Sequence, residues 1–444
     1  MESSRRGFYG PLAISVADQT RFRAGDTIVG AVHRATHCVD SDATLTVKFW
    51  GRTKVKIRKS NGQTTSTYRS RYNFWGDRDP AVNIVVYRGP IHLPRDATEP
   101  LTWPFALRIP SQLSHTVITQ ERMEGFLKPG ASAAAHLPGT YVFHYDGFWS
   151  TNFEAYVEYH LEATLRDSKG HTFECRLPIY MEGASSPIPI TDFGLECQRG
   201  MSVVLTGHRL DPALATAKLT FSQKAQQVFG SSKVPTLTFQ VTAHTPTVLQ
   251  LENPNLVPFH VKGALVKERT SQSLQELAHS IVITRFVLKL RANMEALAPG
   301  TFSNHEEGDD ESWKLVEYSS AVLPHVNTNT AAASDSTSDV KNVSGSGERA
   351  EKRQLYAEPP PDVDTLLLPL DSAPFPLDLG QALNIRVPGS VGSRRVTPSF
   401  TTFNIRNKHQ LSWEMTVQTA EEHATLSGKH DVHVMPRSED SMPR

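Results

Sequence analysis

A period of two dominates this chain and most constrains what it can fold into. Apolar and polar side chains alternate along segment after segment, which places successive residues on opposite faces of an extended strand. Leu12, Ile14 and Val16 alternate with small or polar partners, a turn follows at Ala24, Gly25 and Asp26, and a strand is predicted over residues 27–34. A long strand is predicted over 43–58, with others over 82–87, 105–109, 156–165 and 173–181. The last two are joined by an Asp167-Ser168-Lys169-Gly170 hairpin loop. Beyond a Gly/Ser/Pro-rich joint at 182–189, strands are predicted over 217–221, 236–242, 247–252, 257–267 and 281–294. After a break they return at 364–370, 382–387, 399–406, 411–418 and 430–434. Helical periodicity is thin, with two turns at most over 274–280. Many short strands separated by Gly, Pro, Asn and Asp predict an all-β chain of sandwich architecture.

The chain has 444 residues, enough for two or three domains at ~150 residues each. Its 46 basic and 46 acidic side chains cancel, so no whole-chain attraction to nucleic acid or anionic lipid is expected. No apolar run approaches the ~20 residues of a membrane span. Arg5 and Arg6 have no apolar run behind them, so residues 1–10 do not read as a secretory signal, and Glu2 after Met1 argues against N-myristoylation. Cys38, Cys175 and Cys197 form neither a disulfide framework nor a zinc pattern. These features predict a reducing, cytoplasmic location. Residues 325–353 are rich in Ser, Thr, Asn, Ala and charge, without Phe, Tyr or Trp; a disordered insert over 325–362 is expected.

The densest chemistry is a cationic stretch. Lys48, Arg52, Lys54, Lys56, Arg58, Lys59, Arg69 and Arg71 fall within 24 residues, with no acidic residue between them. Arg52, Lys54, Lys56 and Arg58 alternate with Thr53, Val55 and Ile57, which puts the four cations on one strand face and the other three toward the core. Adjacent like charges cost stability, so an acidic partner is expected. A phosphorylated tail or anionic headgroup would suit, because guanidinium forks match phosphate oxygens. The plainer reading is a solvated face neutralised by neighbours. The acidic run Glu306, Glu307, Asp309, Asp310 and Glu311 reads as a solvated loop, or alternatively as an intramolecular cap for the basic strand.

Other chemistry is sparse. His33, His37 and Cys38 are the only tight cluster of metal-ligating types, and a zinc site would need a further ligand that is not nearby in sequence. G-x-S-x-G, P-loop and G-x-G-x-x-G motifs are absent, so no enzyme, metal or cofactor is predicted. Phe49, Trp50, Tyr68, Tyr72, Phe74 and Trp75 near the cations could stack on bases, but Phe49 and Trp50 fall on opposite faces and at least one should be core. With overall neutrality, nucleic-acid binding is a minor alternative.

Four stretches, in order, resemble the arrestin family. The first is Ala24-Gly25-Asp26, Ile28-Val29-Gly30 and Leu45-Thr46-Val47-Lys48-Phe49-Trp50-Gly51, similar to the family's opening pattern. The second is Trp103-Pro104-Phe105-Ala106-Leu107-Arg108-Ile109-Pro110, with Leu137-Pro138-Gly139-Thr140-Tyr141-Val142-Phe143 a second candidate for part of that motif. The third begins at Phe153-Glu154 and runs through Val157-Glu158-Tyr159-His160-Leu161-Glu162-Ala163. The fourth is Thr397-Pro398-Ser399-Phe400 with Ile405 and residues 411–417, and residues 249–267 resemble the strand pair that opens the family's second domain. Ala24 stands where proline is usual, Ala155 where glycine is usual, and residues 62–95 are longer than in compact members. Fungal arrestin-related proteins of the alpha-arrestin type show such insertions.

The resemblance covers residues 8–300 and 363–436. It implies two consecutive immunoglobulin-like β-sandwiches, over 1–184 and 185–436, with the insert inside the second and a short tail at 437–444. It further implies a cytoplasmic adaptor, able to be recruited to the plasma membrane or endosomes. Such an adaptor binds cytoplasmic segments of membrane transporters or receptors and links them to a HECT-type ubiquitin ligase or to clathrin and other endocytic machinery. A retromer-like or signalling scaffold is the alternative within the fold. Adaptors of this family commonly carry a PPxY ligand; Pro359-Pro360-Pro361 lacks the tyrosine, while Leu177-Pro178-Ile179-Tyr180 fits an LPxY variant but lies in a predicted strand. Leu367, Leu368, Leu370 and Asp371 match a clathrin-box form and read equally as an ordinary strand.

Overall fold

The computed structural model describes residues 11–17, 21–60, 62–114, 125–127, 136–147, 151–198, 200–215, 217–231, 233–277, 279–300, 303–320, 365–370, 375–391 and 394–440. The expected insert at 325–362, Asp371 and the last four residues of the expected tail lie outside them. The chain is mostly β, as its alternation predicts.

The first half carries β1 (Ala13–Val16), β2 (Thr27–Arg34), β3 (Cys38–Ser60), β4 (Thr65–Asn73), β5 (Asn83–Leu93), β6 (Leu101–Arg108), β7 (Tyr141–Asp146), β8 (Thr151–Arg166) and β9 (Thr172–Ile179). β1, β2 and β6 form a three-stranded sheet. The other six form a second sheet in the order β4-β3-β8-β7, with β5 also on β3 and β9 also on β8. Side chains of both sheets enclose one core, from Leu12 to Met181, which makes this half sandwich-like. Gly51 is required there: a Cβ would meet the rings of Phe74, Trp75 and Tyr159 at 2.7 Å, so its absence lets this aromatic cluster close on the middle of β3.

The second half carries β10 (Leu195–Cys197), β11 (Met201–Thr206), a helix α1 (Phe221–Val228), β12 (Thr236–Pro246), β13 (Val248–Gln250), β14 (His260–Leu265), β15 (Val282–Pro299) and β16 (Asn304–Ser319). Four two-residue strands follow: β17 (Leu377–Asp378), β18 (Ser390–Val391), β19 (Arg394–Arg395) and β20 (Phe400–Thr401). A long hairpin of β21 (Ile405–Thr419) and β22 (Glu422–Met435) ends the fold. A five-stranded sheet around β12 and β14 and a six-stranded sheet around β21 and β15 share a second core, from Phe193 to Val434. The predicted joint at 182–189 falls between Met181, the last first-half residue of the first core, and Phe193, which opens the second.

Four expectations are corrected. The described residues 365–370 of the strand expected over 364–370 form only an isolated bridge at Leu367. Residues 217–221 are not a strand: Thr220 and Gln223 form a reciprocal capping box that starts α1, and this local signal overrides the short alternation. Residues 382–387 form no strand either, since 379–382 is a single helical turn capped by Asp378. The acidic run is not a loop. It is part of the edge strand β16, whose β15-facing backbone groups pair with β15, and His305, Glu307, Asp309 and Glu311 alternate as its half-buried face.

That face looks toward the first half. His305 stacks on Tyr68 with ring centroids 3.7 Å apart, and Glu307 takes Lys59 Nζ at 2.5 Å. Tyr72 stacks on Phe403, and Met294, Ala296, Ala298 and Ile405 join the first core. Polar contacts cross this apolar seam as well, among them the Phe126 amide donating to the Phe403 carbonyl at 2.8 Å. The Ser70 hydroxyl donates to the Leu297 carbonyl at 2.8 Å and accepts from Asn404 Nδ2 at 2.7 Å. At the joint, Glu182 accepts from Arg21 and Arg23, while Arg23 Nη1 also meets Glu439 at 2.6 Å.

Candidate functional site

β3 builds the site. Its burial alternates as predicted: Thr53, Val55 and Ile57 are buried, while Arg52, Lys54 and Lys56 are half-buried and Arg58 is exposed on the opposite face. Antiparallel pairing adds β4 on one side. Arg71 stands directly opposite Lys54 and Arg69 directly opposite Lys56. The alternation of β4 turns Tyr68, Ser70 and Tyr72 toward the seam and leaves Arg69 and Arg71 in solvent. Six cations therefore share one sheet face.

β8 supplies the expected acids on the other side. Its register sets Glu154 opposite Lys56, Glu158 opposite Arg52 and Glu162 opposite Lys48. Lys56 Nζ donates to Glu154 Oε1 at 3.0 Å, and Glu158 Oε1 accepts from Arg52 Nε and lies 2.6 Å from Lys54 Nζ. Burial alone would raise the Glu158 carboxyl; the hydrogen bonds from Lys54 and Arg52 outweigh it and hold the group below the ordinary carboxylate value. Glu154 follows the same balance, with burial opposed by Lys56.

The cations thus divide. Arg52, Lys54 and Lys56 are answered by carboxylates. Arg58, Arg69 and Arg71 have no ion pair or hydrogen bond among the described residues. Lys48 and Lys59 leave the exposed row. Lys48 is buried, donates to the Asp77 carbonyl at 2.6 Å and sits 3.6 Å from the Trp50 ring centroid; burial, offset by Asp77, lowers its pKa. Lys59 has the other strand parity and reaches Glu307, so the acidic run touches that one lysine and not the row.

Beside the paired end lies a recess of about 400 Å³ between Trp50, Arg52, Arg71, His160 and Arg176. Trp50 Nε1 is enclosed without a hydrogen-bond partner. His160 stacks against Trp50, and burial followed by the Arg52 charge lowers its pKa to about 4, so it is neutral at pH 7. The other aromatic candidates are occupied: Phe49, Phe74 and Trp75 are core, and Tyr68 and Tyr72 pack in the seam.

The peptide-motif candidates sit in folded segments. Leu177 and Pro178 are in β9, paired with Leu161 and His160, and the Tyr180 hydroxyl accepts from Arg395 Nη1 at 3.0 Å. Leu368 is buried and its amide donates to the Ile281 carbonyl; Leu367 bridges to Val282 and is half exposed, and Leu370 is half-buried. His33 bonds Ser15 and Thr102, His37 bonds the Leu93 carbonyl, and the three cysteines are free. Among the described residues no three His, Cys, Asp or Glu side chains are grouped as metal ligands, and no helix is long and apolar enough to cross a membrane.

The sequence missed β4 as a strand, although the alternation of Tyr68, Ser70 and Tyr72 with Arg69 and Arg71 carries the signal. It could not assign Glu154 and Glu158 to their cations, because pairing register is a long-range fact. Compared with known proteins, the chain matches no family model and no curated protein.

Proposed function

We propose that this protein is a non-enzymatic, cytoplasmic adaptor of the arrestin-like type. The outer face of β3 and β4 docks an acidic or phosphorylated cytoplasmic segment of a membrane transporter or receptor, and the protein links that cargo to ubiquitin-ligase or endocytic machinery. The observation that carries the reading is the unanswered end of the cationic face, Arg58, Arg69 and Arg71. Guanidinium forks in solvent accept a phosphate or carboxylate without first breaking an internal pair. Two sandwich-like halves, each around its own core, support the arrangement that the resemblance implies. As folded, Leu177, Pro178 and Tyr180 offer no free extended peptide, so a ligase contact would use another segment.

The test is binding of a phosphorylated acidic peptide and its unphosphorylated form to the full chain, read by fluorescence anisotropy across salt concentrations. Binding should weaken with salt and collapse in R58A/R69A/R71A. Unchanged, salt-insensitive binding in that variant would overturn the reading. Affinity capture from cells, read by mass spectrometry, should return transporters and a ligase; stable coat subunits instead would mark a scaffold.

A further inference from the structure

The helix α1 is mounted with its amphipathic faces reversed. At 100° per residue, Phe221, Ala225, Val228 and the capping Phe229 fall on one arc, and Gln223, Gln226 and Gln227 on the opposite one. In a surface helix the apolar arc packs against the body. Here the three glutamines are half-buried together with the small Ala225, the large apolar side chains are not, and Gln227 Nε2 donates to Glu422 Oε1 at 2.8 Å. Phe221, Val228 and Phe229 are 89%, 81% and 85% exposed, higher than any other large apolar side chain described. No residue of the helix is buried, so the body gains nothing from these rings.

The charge around the arc is of one sign. From Pro212 to Pro235 there is no acidic residue, while Lys218, Lys224 and Lys233 are all exposed and without an ion pair among the described residues. Of the acids beside this region, Asp211 caps the Ala213 amide, Glu421 meets Arg209, and Glu422 accepts from Gln227. The position is also terminal. α1 lies next to the β21–β22 turn, while Ile405, at the other end of β21, joins the first core; the strand between them is ~45 Å long at ~3.3 Å per residue.

We propose that α1 is a membrane-surface element that lies on an anionic bilayer, with Phe221, Val228 and Phe229 entering the boundary between headgroups and acyl chains and Lys218, Lys224 and Lys233 meeting lipid phosphates. Exposed apolar residues flanked only by cations match a surface that is apolar beneath a negative layer. A second protein groove would satisfy the rings, but it would not call for lysines on every flank. The inference is independent of the cargo reading, because it uses a different region and needs no protein partner.

The experiment is co-sedimentation of the full chain with phosphatidylcholine vesicles, with and without phosphatidylserine. The wild type should pellet with the phosphatidylserine vesicles and release with salt. F221S/F229S should weaken that binding about 100-fold, at about one decade for each buried ring lost. K218S/K224S/K233S should weaken it on the order of 100-fold, about fivefold per charge. Both variants should keep the wild-type melting temperature, since the altered side chains are exposed and make no ion pair or hydrogen bond among the described residues. R58A/R69A/R71A should pellet as the wild type does, which separates this surface from the cargo face. Absence of wild-type binding, equal binding to neutral vesicles, or F221S/F229S pelleting like the wild type would each overturn the proposal. So would wild-type self-association that F221S/F229S abolishes, because the occupant would then be a second copy.

Discussion

The two ends of the cationic face differ in what answers their charge. At Arg52, Lys54 and Lys56 the neighbouring strand β8 supplies Glu154 and Glu158, and the cations serve the sheet. At Arg58, Arg69 and Arg71 the register runs out of acids: Arg58 faces Thr67 and Asn152, and Arg69 faces Lys56. Both ends look alike in the sequence. Pairing register, and not charge density, separates side chains that hold the sheet together from those available to a ligand.

The largest effect should come from the open end. R58A/R69A/R71A should weaken binding of a phosphorylated acidic peptide on the order of 100-fold, at about 1 kcal/mol or fivefold per exposed guanidinium. Its thermal unfolding should not fall, because no internal contact is lost. The closed end should do the opposite. E154Q/E158Q should lose about 2 kcal/mol in urea unfolding, since partly buried charge-assisted hydrogen bonds disappear, and should bind the peptide more tightly because three cations are released. A stable double variant with unchanged peptide affinity would break the distinction between the ends.

His160 gives the pH signature of the closed end. Its folded pKa lies near 4, below the ordinary 6.5, through burial first and Arg52 second. The unfolded chain therefore takes the proton first. The stability tied to neutral His160 is fully present above pH 6.5 and is lost as pH falls from there toward about 4. H160Q should flatten that slope, on the order of 1–2 kcal/mol across the window, in pH-dependent urea unfolding. The smallest effect is the most diagnostic. R69E places a carboxylate directly opposite Lys56 and should stabilise the fold by about 0.5 kcal/mol while weakening peptide binding, so stability and affinity move in opposite directions.

Much of the fold was legible because alternation is a local signal. β2 was read with the boundaries it has, and the four cations from Arg52 to Arg58 share the face that their spacing requires. β8 and β12 were found with an edge a few residues short, and β9 displaced by one or two residues. The errors came where local and long-range physics compete. Glu306 to Glu311 are too charged to suggest a strand, yet β15 provides a backbone ladder, Lys59 of the first half meets Glu307, and Arg394 of β19 meets Glu311. Residues 217–221 alternate like a strand, but the Thr220–Gln223 box acts over a single turn and decides the outcome. At the site, the cations were legible one by one. Which of them are spent on Glu154 and Glu158 was not, because those acids lie about a hundred residues away in sequence and only the register joins them.

The Ser70 contact has a mechanical consequence. Ser70, Leu297 and Asn404 make a side-chain polar join in the seam, beside the Phe126–Phe403 backbone bond, and Ser70 and Asn404 are nearly sealed from water. Apolar surfaces can slide over one another at small cost, but a sealed hydroxyl that loses its partners costs ~1–3 kcal/mol. The join therefore acts as a detent. Small translations of one half along the other are penalised at once, whereas a motion that parts the seam lets water reach Ser70 and removes the penalty. Relative movement of the halves should occur by opening like a book rather than by shearing, and S70A should lower the cost of sliding without adding to the opening motion.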